Sequence, residues 1–400
     1  MSLQGSVRAR GGRRRRALAW AACIAVLPSL LVTGPALAAD PVQLPPLRWA
    51  LGGEDGCAKE SKKVADSPPW AEASIGLPAA SQLADGRGVT VAVVDTGVSP
   101  DAPTLAGRVE VLGDADEDCV GHGTFVAGII AGSPGAKGEV RGVAPGARIL
   151  AVAGTDNRGA TTGPRLATAI RQAVDGGAQI VYVARARLDG REQLEAAVAY
   201  AAKKKVLIVA PTTPELPPQG PNGPDSTARP FFPAFIAPVL SVSGHARDGL
   251  PEPQGPDAFA PNISAPGYEV VGIGPEGDGH YLGNGSSLAA AYAAGTAALV
   301  LSREPGLTPQ QLSERLMETG YPGEVPHLDT YAALAAVPGV QSPTGDPREP
   351  PAELAGAASE RPLHTSLFVA GGALAVVVLV GGAAVVIPRG RARRWRGAGT

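Results

Sequence analysis

Short apolar runs and amphipathic segments of helical length alternate through the middle of the chain. The run from Gly88 to Val94 is apolar and rich in β-branched residues, which is typical of a strand buried on both faces of a parallel sheet. The same pattern predicts further strands at Arg148 to Ala153, Ile180 to Ala184, Val206 to Ala210 and Val239 to Ser243. It predicts helices at Gly121 to Gly132, at Pro164 to Val174, at Glu192 to Ala202, from Ser287 onward, and from the capping-box pattern Thr308-Pro309-Gln310-Gln311 onward.

This alternation predicts the fold class, an α/β sandwich with a mostly parallel sheet and right-handed crossovers. In such sheets the functional side chains gather at the carboxyl ends of the strands. The first strand runs into Asp95-Thr96-Gly97, which places a carboxylate and a turn at that edge. The stretch from Pro211 to Pro233 is rich in proline, glycine and polar residues, and we interpret it as a surface loop.

Both ends of the chain carry targeting patterns. A basic region at Arg13 to Arg16, an apolar run from Ala17 to Leu31 and small residues up to Ala39 predict a secretory signal peptide over residues 1–39. At the other end, the run from Leu367 to Ile387 lacks charged residues and is long enough to cross a bilayer of about 30 Å. The sequence therefore predicts an exported protein with one transmembrane helix over residues 366–388.

An arginine-rich tail follows this apolar run. Five arginines lie within residues 389–400, and by the positive-inside rule this tail faces the cytoplasm. The part of the chain between the signal peptide and this helix is then extracytoplasmic, on a single-pass membrane protein. Residues 338–365 are rich in proline, glycine, alanine and glutamate without periodicity, which predicts a linker between the folded domain and the membrane.

Residues 40–87 form a proline-rich extension that we interpret as an arm lying on the surface of a domain at residues 88–337. Of the three cysteines, Cys23 lies in the predicted signal peptide. Cys57 and Cys119 remain, and in an oxidising compartment an even pair favours a disulfide. This bond would tie the arm to the domain.

Charge and spacing exclude several classes of function. The formal net charge is −2, and the basic residues gather at the two ends, so the sequence argues against nucleic-acid binding. No Cys/His spacing indicates a zinc site, and no other metal site or cofactor is predicted.

Three residues in chain order carry candidate chemistry: Asp95, His122 and Ser287. Serine is a weak nucleophile at neutral pH and needs a base, and histidine titrates in the required range. The imidazolium that forms needs a carboxylate to orient and stabilise it. Each residue alone has a structural explanation as a turn residue, a helix-start residue or a cap, but together they predict acyl transfer.

The segments around these residues, Val93 to Val98, Gly121-His122-Gly123-Thr124 and Gly285 to Ala290, resemble the three signatures of the subtilisin family of serine proteases. Gly142-Val143-Ala144-Pro145 and Ser264-Ala265-Pro266-Gly267 resemble further landmarks of that family. The resemblance covers Gly88 to about Leu334. It implies a three-layer sandwich and hydrolysis of protein or peptide substrates by an Asp95–His122–Ser287 triad.

The order of segments resembles one branch of the family, the mycosins, which are membrane-anchored proteases attached to actinobacterial type VII secretion systems. They share a signal peptide, a disulfide-tied extension, a proline-rich linker and a C-terminal helix. The resemblance implies that Cys57–Cys119 is the disulfide of the extension. It also implies a type VII secretion membrane complex as a partner.

The sequence departs from the family at the substrate side of the site. The family's oxyanion asparagine follows a buried strand, whereas here the strand runs into Pro211-Thr212-Thr213-Pro214. Loss of one oxyanion donor costs about 2.7–4 kcal/mol, as measured in subtilisin itself. The hydroxyls of Thr212 and Thr213 are the candidate replacements. The substrate-binding strand, which usually ends Asn-Met-Ser-Leu-Gly, reads Tyr182-Val183-Ala184-Arg185-Ala186.

Two functional hypotheses follow from these observations. The first is a working serine endopeptidase of reduced activity, which the three signatures favour. The second is a degenerate protease that serves as a structural part of a secretion complex, which the altered oxyanion and substrate segments favour.

Overall fold

The computed structural model describes residues 42–135, 140–220, 223–251 and 256–336, together with residues 377, 379–384 and 386–390 near the C-terminus. Two compact units, Met1–Ala336 and Val337–Thr400, make up the chain. The predicted signal peptide and linker lie outside the described residues, and the predicted transmembrane segment at 366–388 lies partly outside them. Within the described part of the chain, no helix is both long enough and apolar enough to span a bilayer.

The N-terminal unit combines eight helices and eleven strands among its described residues. The helices are α1 (Trp70–Ser74), α2 (Leu77–Ala80), α3 (His122–Ala131), α4 (Gly163–Asp175), α5 (Arg191–Lys203), α6 (Ser286–Arg303), α7 (Pro309–Glu318) and α8 (Thr330–Ala335). The strands are β1 (Thr90–Asp95), β2 (Val109–Leu112), β3 (Arg148–Ala153), β4 (Ile180–Val183), β5 (Leu207–Pro211), β6 (Gln219–Gly220), β7 (Gly223–Pro224), β8 (Leu240–His245), β9 (Ile263–Pro266), β10 (Val270–Ile273) and β11 (His280–Gly283).

Seven strands form one sheet in the order β2-β3-β1-β4-β5-β8-β9, and every neighbouring pair in it is parallel. Strand β1 lies near the middle of the sheet, where it pairs with both β3 and β4. The prediction of an α/β sandwich with a mostly parallel sheet is confirmed. Two short antiparallel pairs, β6–β7 and β10–β11, lie outside this sheet.

Helices cover the sheet on both faces, and β1 shows why its sequence is apolar throughout. Val91 and Val93 face a core that contains α3 and α6, whereas Ala92 and Val94 face a second core that contains α4 and α5. All four residues are fully buried. A continuous apolar run is what a strand with two covered faces requires.

Helix α6 is the central element of the first core. Sixteen of its eighteen residues are buried, and most of them are alanine or another small residue. At Gly295 an added Cβ would lie 2.7 Å from the Cβ of Val143, so only glycine allows this close approach of helix and loop. Small residues therefore bring the start of α6, which carries Ser287, against the sheet.

The predicted strands and helices are all present, with bounds that shift by a few residues at most. The pattern missed β2, β9, the β6–β7 and β10–β11 pairs and the short helices α1, α2 and α8. Strand β2 is half-exposed and only four residues long, and β9 reads Ile-Ser-Ala-Pro, so neither has a continuous apolar pattern.

The prediction of a surface loop from Pro211 to Pro233 is wrong for its two ends. Thr212 and Thr213 are buried at its start, and Phe231 and Phe232 are buried at its end. The Phe232 backbone exchanges two hydrogen bonds with Arg187, of 2.7 and 2.8 Å. Backbone pairing and aromatic burial thus hold the returning end of the loop against the domain.

The extension lies along the domain as an extended arm. The Leu47 N–H donates to the Leu282 carbonyl at 2.7 Å, and the His280 N–H donates to the Lys63 carbonyl at 2.7 Å, so the arm follows the β10–β11 hairpin. Cys57 and Cys119 form a disulfide in the structure. Helices α1 and α2 then continue the extension toward β1, which the sequence pattern did not predict.

Candidate active site

Three chain segments bring Asp95, His122 and Ser287 to one place at the carboxyl edge of the sheet. Asp95 is the last residue of β1, His122 is the first residue of α3, and Ser287 is the second residue of α6. The three are 0%, 1% and 0% exposed. His122 and Ser287 thus lie at helix N-termini, where backbone N–H groups are unsatisfied and favour negative charge.

Glycines make this approach possible. An added Cβ at Gly123 would lie 1.9 Å from the Gly97 carbonyl oxygen and 3.2 Å from the Cβ of Asp95. Gly285 has a φ of 140°, a conformation that L side chains rarely adopt. The His122 helix can press on the Asp95 turn, and the chain can enter α6, only because these positions lack a side chain.

The geometry of the three side chains is that of a proton relay. His122 Nδ1 lies 2.7 Å from Oδ2 of Asp95, and His122 Nε2 lies 3.2 Å from Oγ of Ser287. The imidazole thus has a carboxylate on one nitrogen and a hydroxyl on the other. This arrangement can remove a proton from the hydroxyl and stabilise the imidazolium that results.

A second buried carboxylate, Asp118, organises the loop before His122. It accepts hydrogen bonds from the N–H of Gly121 at 2.8 Å, from the N–H and hydroxyl of Thr124 at 2.7 Å each, and from the hydroxyl of Thr96 at 2.7 Å. Burial raises the pKa of Asp118, while the bonds from Thr96 and Thr124 act in the opposite direction. Sequence reasoning missed this residue, although its place four positions before His122 was a usable signal.

Tyr182 is a buried residue whose phenol lies near Asp95 and Ser287. It is fully buried, and its hydroxyl has no hydrogen-bond partner of good geometry among the described residues. Burial raises the pKa of the Tyr182 phenol well above its usual value, and the charges of Asp95 and Glu215 act in the same direction. The phenol therefore stays protonated beside the three relay residues.

The candidate oxyanion hydroxyls of Thr212 and Thr213 are hydrogen-bonded to groups outside the relay. The Thr212 hydroxyl donates to the Val242 carbonyl at 3.2 Å, and the hydroxyls of Thr213 and Ser286 lie 2.7 Å apart. Neither threonine hydroxyl is hydrogen-bonded to Ser287 in this arrangement. Their proposed role as oxyanion donors stays a prediction.

A charged pair occupies the substrate side instead. Arg185 and Glu215 have side chains that are each 6% exposed, and Arg185 Nη1 lies 3.4 Å from Oε2 of Glu215. The other Glu215 oxygen, Oε1, lies 3.9 Å from His122 Nε2, and Arg185 Nη2 lies 4.0 Å from Oδ1 of Asp95. Sequence reasoning noted Arg185 only as a departure from a motif and did not single out Glu215.

No candidate metal centre accompanies the site in the described ranges. No group of three or more His, Cys, Asp or Glu side chains lies close enough there to hold an ion.

Comparison with known proteins adds a family context to this geometry. Residues 86–345 match the model of the subtilase family, Peptidase_S8. Mycosin-1 of Mycobacterium tuberculosis is 33% identical over 64% of this chain and 69% of its own, and mycosin-3 of the same organism is 32% identical over 81% and 84%. A solved structure of the serine protease MycP1, an essential component of the type VII (ESX-1) secretion system, is 29% identical with a TM-score of 0.59, over 74% of this chain and 96% of that one.

Proposed function

Because the chain belongs to the subtilase family of serine proteases, in its mycosin branch, we propose that it hydrolyses peptide bonds through Asp95, His122 and Ser287. The position of His122 supports this proposal most directly. Its two nitrogens lie 2.7 Å from a carboxylate oxygen and 3.2 Å from a hydroxyl oxygen. These are the distances that a general base between an orienting carboxylate and a nucleophile requires.

In this mechanism His122 Nε2 takes the proton of Ser287 as Oγ attacks the peptide carbonyl. Asp95 stabilises the imidazolium through Nδ1, and the imidazolium then gives its proton to the leaving amine. The acyl group stays on Oγ until water, activated by the same imidazole, releases it. The N–H of Ser287 lies in the first turn of α6 and is one donor for the oxyanion.

The second oxyanion donor is weak or absent in the resting arrangement, so we propose that turnover is slow. The segment that carries an asparagine in subtilisins holds Thr212 and Thr213, and both hydroxyls have other partners. One missing donor corresponds to a loss of about 10²–10³ in turnover, the figure obtained for subtilisin.

We further propose that the protein acts outside the cytoplasm, anchored by residues 366–388 and associated with a type VII secretion membrane complex. The signal-peptide pattern and the arginine-rich tail support this location, and the similarity to MycP1, an essential component of the type VII (ESX-1) secretion system, supports the association. Protease treatment of intact cells should remove the domain and spare a C-terminal tag. A tag that is digested from outside would contradict the topology.

A structural role in a secretion complex is the second candidate function. It is favoured by the buried Arg185–Glu215 pair on the substrate side and by the absence of an asparagine after β5. In that case the relay would persist without turnover.

Labelling with a fluorophosphonate probe separates the two functions, because phosphonylation of a serine requires an activated nucleophile. We expect slow labelling of the full chain at Ser287, identified by mass spectrometry of the modified peptide. Ser287→Ala and His122→Ala should abolish it, while Ser302→Ala, a change at a half-buried serine of the same helix, should not. Complete absence of labelling in the wild type and in every active-site variant supports the structural role.

A further inference from the structure

The Arg185–Glu215 pair is buried without full hydrogen bonding. Arg185 Nη1 lies 3.4 Å from Oε2 of Glu215, which is a long contact for a charge-assisted hydrogen bond. Among the described residues, Oε1 of Glu215 and Nε of Arg185 have no hydrogen-bond partner. A buried ion pair contributes stability only when its remaining polar atoms are satisfied. This pair therefore offers little stability to the fold in return for its burial.

Glu215 lies directly against the reacting atoms. Its Oε1 is 3.9 Å from His122 Nε2, the same nitrogen that faces Oγ of Ser287 at 3.2 Å. A Cβ added at Gly285 would lie 3.0 Å from Cγ of Glu215 and 3.4 Å from Oγ of Ser287. The Glu215 side chain thus packs on the turn that carries the nucleophile.

This position conflicts with acyl transfer in two ways, given the function proposed above. The leaving amine has to reach Nε2 to take its proton, and Glu215 Oε1 already lies beside that nitrogen. The tetrahedral intermediate carries a negative oxygen next to Ser287, and a carboxylate at this place repels it where a hydrogen-bond donor is needed.

The arm of the extension supports the pair from the other side. Arg185 donates a hydrogen bond to the Trp49 carbonyl, and its guanidinium carbon lies 5.9 Å from the centre of the Trp49 ring. Two residues further along the arm, the Leu51 N–H donates a hydrogen bond of 2.9 Å to the Arg158 carbonyl, which attaches the arm to the domain. The contacts therefore run from the arm to Arg185, from Arg185 to Glu215, and from Glu215 to the nucleophile.

We propose that Glu215 is an autoinhibitory residue that blocks Ser287 in the resting protein, held in place by Arg185 and the arm. A peptide reaches Ser287 only after the Glu215 side chain swings away from His122. Because Oε1 is unpaired and the ion pair is long, displacing the Glu215 side chain requires less free energy than opening a fully hydrogen-bonded pair. The loop that carries Glu215 continues into the exposed Leu216, so a displaced Glu215 carboxylate has solvent nearby.

The test measures the second-order rate of fluorophosphonate labelling on the full chain. Glu215→Gln removes the charge and keeps the shape, whereas Glu215→Ala removes both. We expect labelling to be about tenfold faster or more in Glu215→Ala, because both the repelling charge at the oxyanion side and the side chain beside Ser287 are removed. Glu215→Gln removes only the charge, so we expect an intermediate gain in the labelling rate. Glu195→Gln, at an exposed ion pair on α5, is the matched control and should label at the wild-type rate.

A second variant tests the support of the block. Arg185→Gln should also label faster than the wild type, because Glu215 loses its partner and a buried unpaired carboxylate moves toward solvent. Thermal unfolding of each variant shows whether the fold is kept, and the Glu215 variants decide the question if Arg185→Gln does not fold. Ser287→Ala in each background confirms the labelled residue.

The outcomes separate this inference from the proposed function. If the wild type labels at Ser287 and the folded Glu215 variants label no faster, the block is refuted and the protease function stands. If neither the wild type nor any folded variant labels, both proposals are refuted. Faster labelling that disappears with Ser287→Ala supports both.

Discussion

The two sides of the active site are built in different ways. The relay side, made of Asp95, His122 and Ser287, rests on the end of a central strand and on two helix N-termini, and its contacts are 2.7 and 3.2 Å long. The substrate side, made of Arg185, Thr213 and Glu215, rests on the segment after β4 and the loop after β5, and it carries a loosely bonded charge pair.

The difference shows where such a site can tolerate sequence change. On the relay side, Gly123 lies so close to Gly97 that no side chain fits, and Asp118 fixes the loop through four hydrogen bonds. On the substrate side, new side chains can enter because the loop after β5 leads into solvent. On the proposals made above, the relay lies beside a substrate side that opposes catalysis.

The largest expected effect comes from breaking the relay itself. Ser287→Ala and His122→Ala should each remove turnover, by about 10⁶-fold if the enzyme were as efficient as subtilisin, where this figure was obtained, and by less for a slow enzyme. Because residues that act as a unit are not additive, the double variant should lose little more turnover than either single variant. Peptide hydrolysis by purified full-length variants measures this, and additive losses would show that the residues do not act together.

The disulfide affects stability more than chemistry. Replacing Cys57, Cys119 or both by serine should lower the free energy of unfolding by about 3–5 kcal/mol in the chain-entropy model. The three variants should lose the same amount, because each breaks the same bond. Denaturant unfolding monitored by tryptophan fluorescence measures the loss. An unchanged midpoint would mean that the arm's backbone contacts suffice without the bond.

On the substrate side, Thr213→Asn should raise turnover by up to about 10²-fold with little change in KM, because an added oxyanion donor acts mainly in the transition state. Thr212→Asn belongs in the same experiment, since the longer amide can reach from either position. Thr168→Asn, on the exposed face of α4, is the control. Wild-type turnover in both test variants would show that another group serves as the donor.

The smallest effect is expected at Asp118. Asp118→Asn keeps the size of the side chain but replaces one acceptor oxygen by a donor, so a buried partner in the loop loses its bond. This should lower the free energy of unfolding by about 1–3 kcal/mol. It should also reduce kcat by a larger factor than it changes KM, because the loop positions His122. Asp116→Asn, an exposed change in the same loop, should be neutral. If the two variants have the same stability and the same kcat, Asp118 does not position His122.

The sequence by itself determined the α/β fold and grouped the relay residues. Continuous apolar runs such as that of β1 report burial on both faces, and short glycine-rich signatures around His122 and Ser287 report local geometry that few folds use. Both signals are local, so they can be interpreted without knowing which segments meet. Strands β2 and β9 were missed because their own sequences carry no continuous apolar run, and burial by distant segments leaves no trace in a local pattern.

Only the tertiary structure decided what faces the nucleophile. Glu215 is 30 positions from Arg185 and meets it because β4 and β5 are neighbours whose carboxyl ends open at the same edge. Trp49 joins them from an arm outside the sheet, and Thr213 turns its hydroxyl to Ser286. The effect of a charge depends on its distance from other charges and on its burial. Those quantities arise only when distant segments pack together.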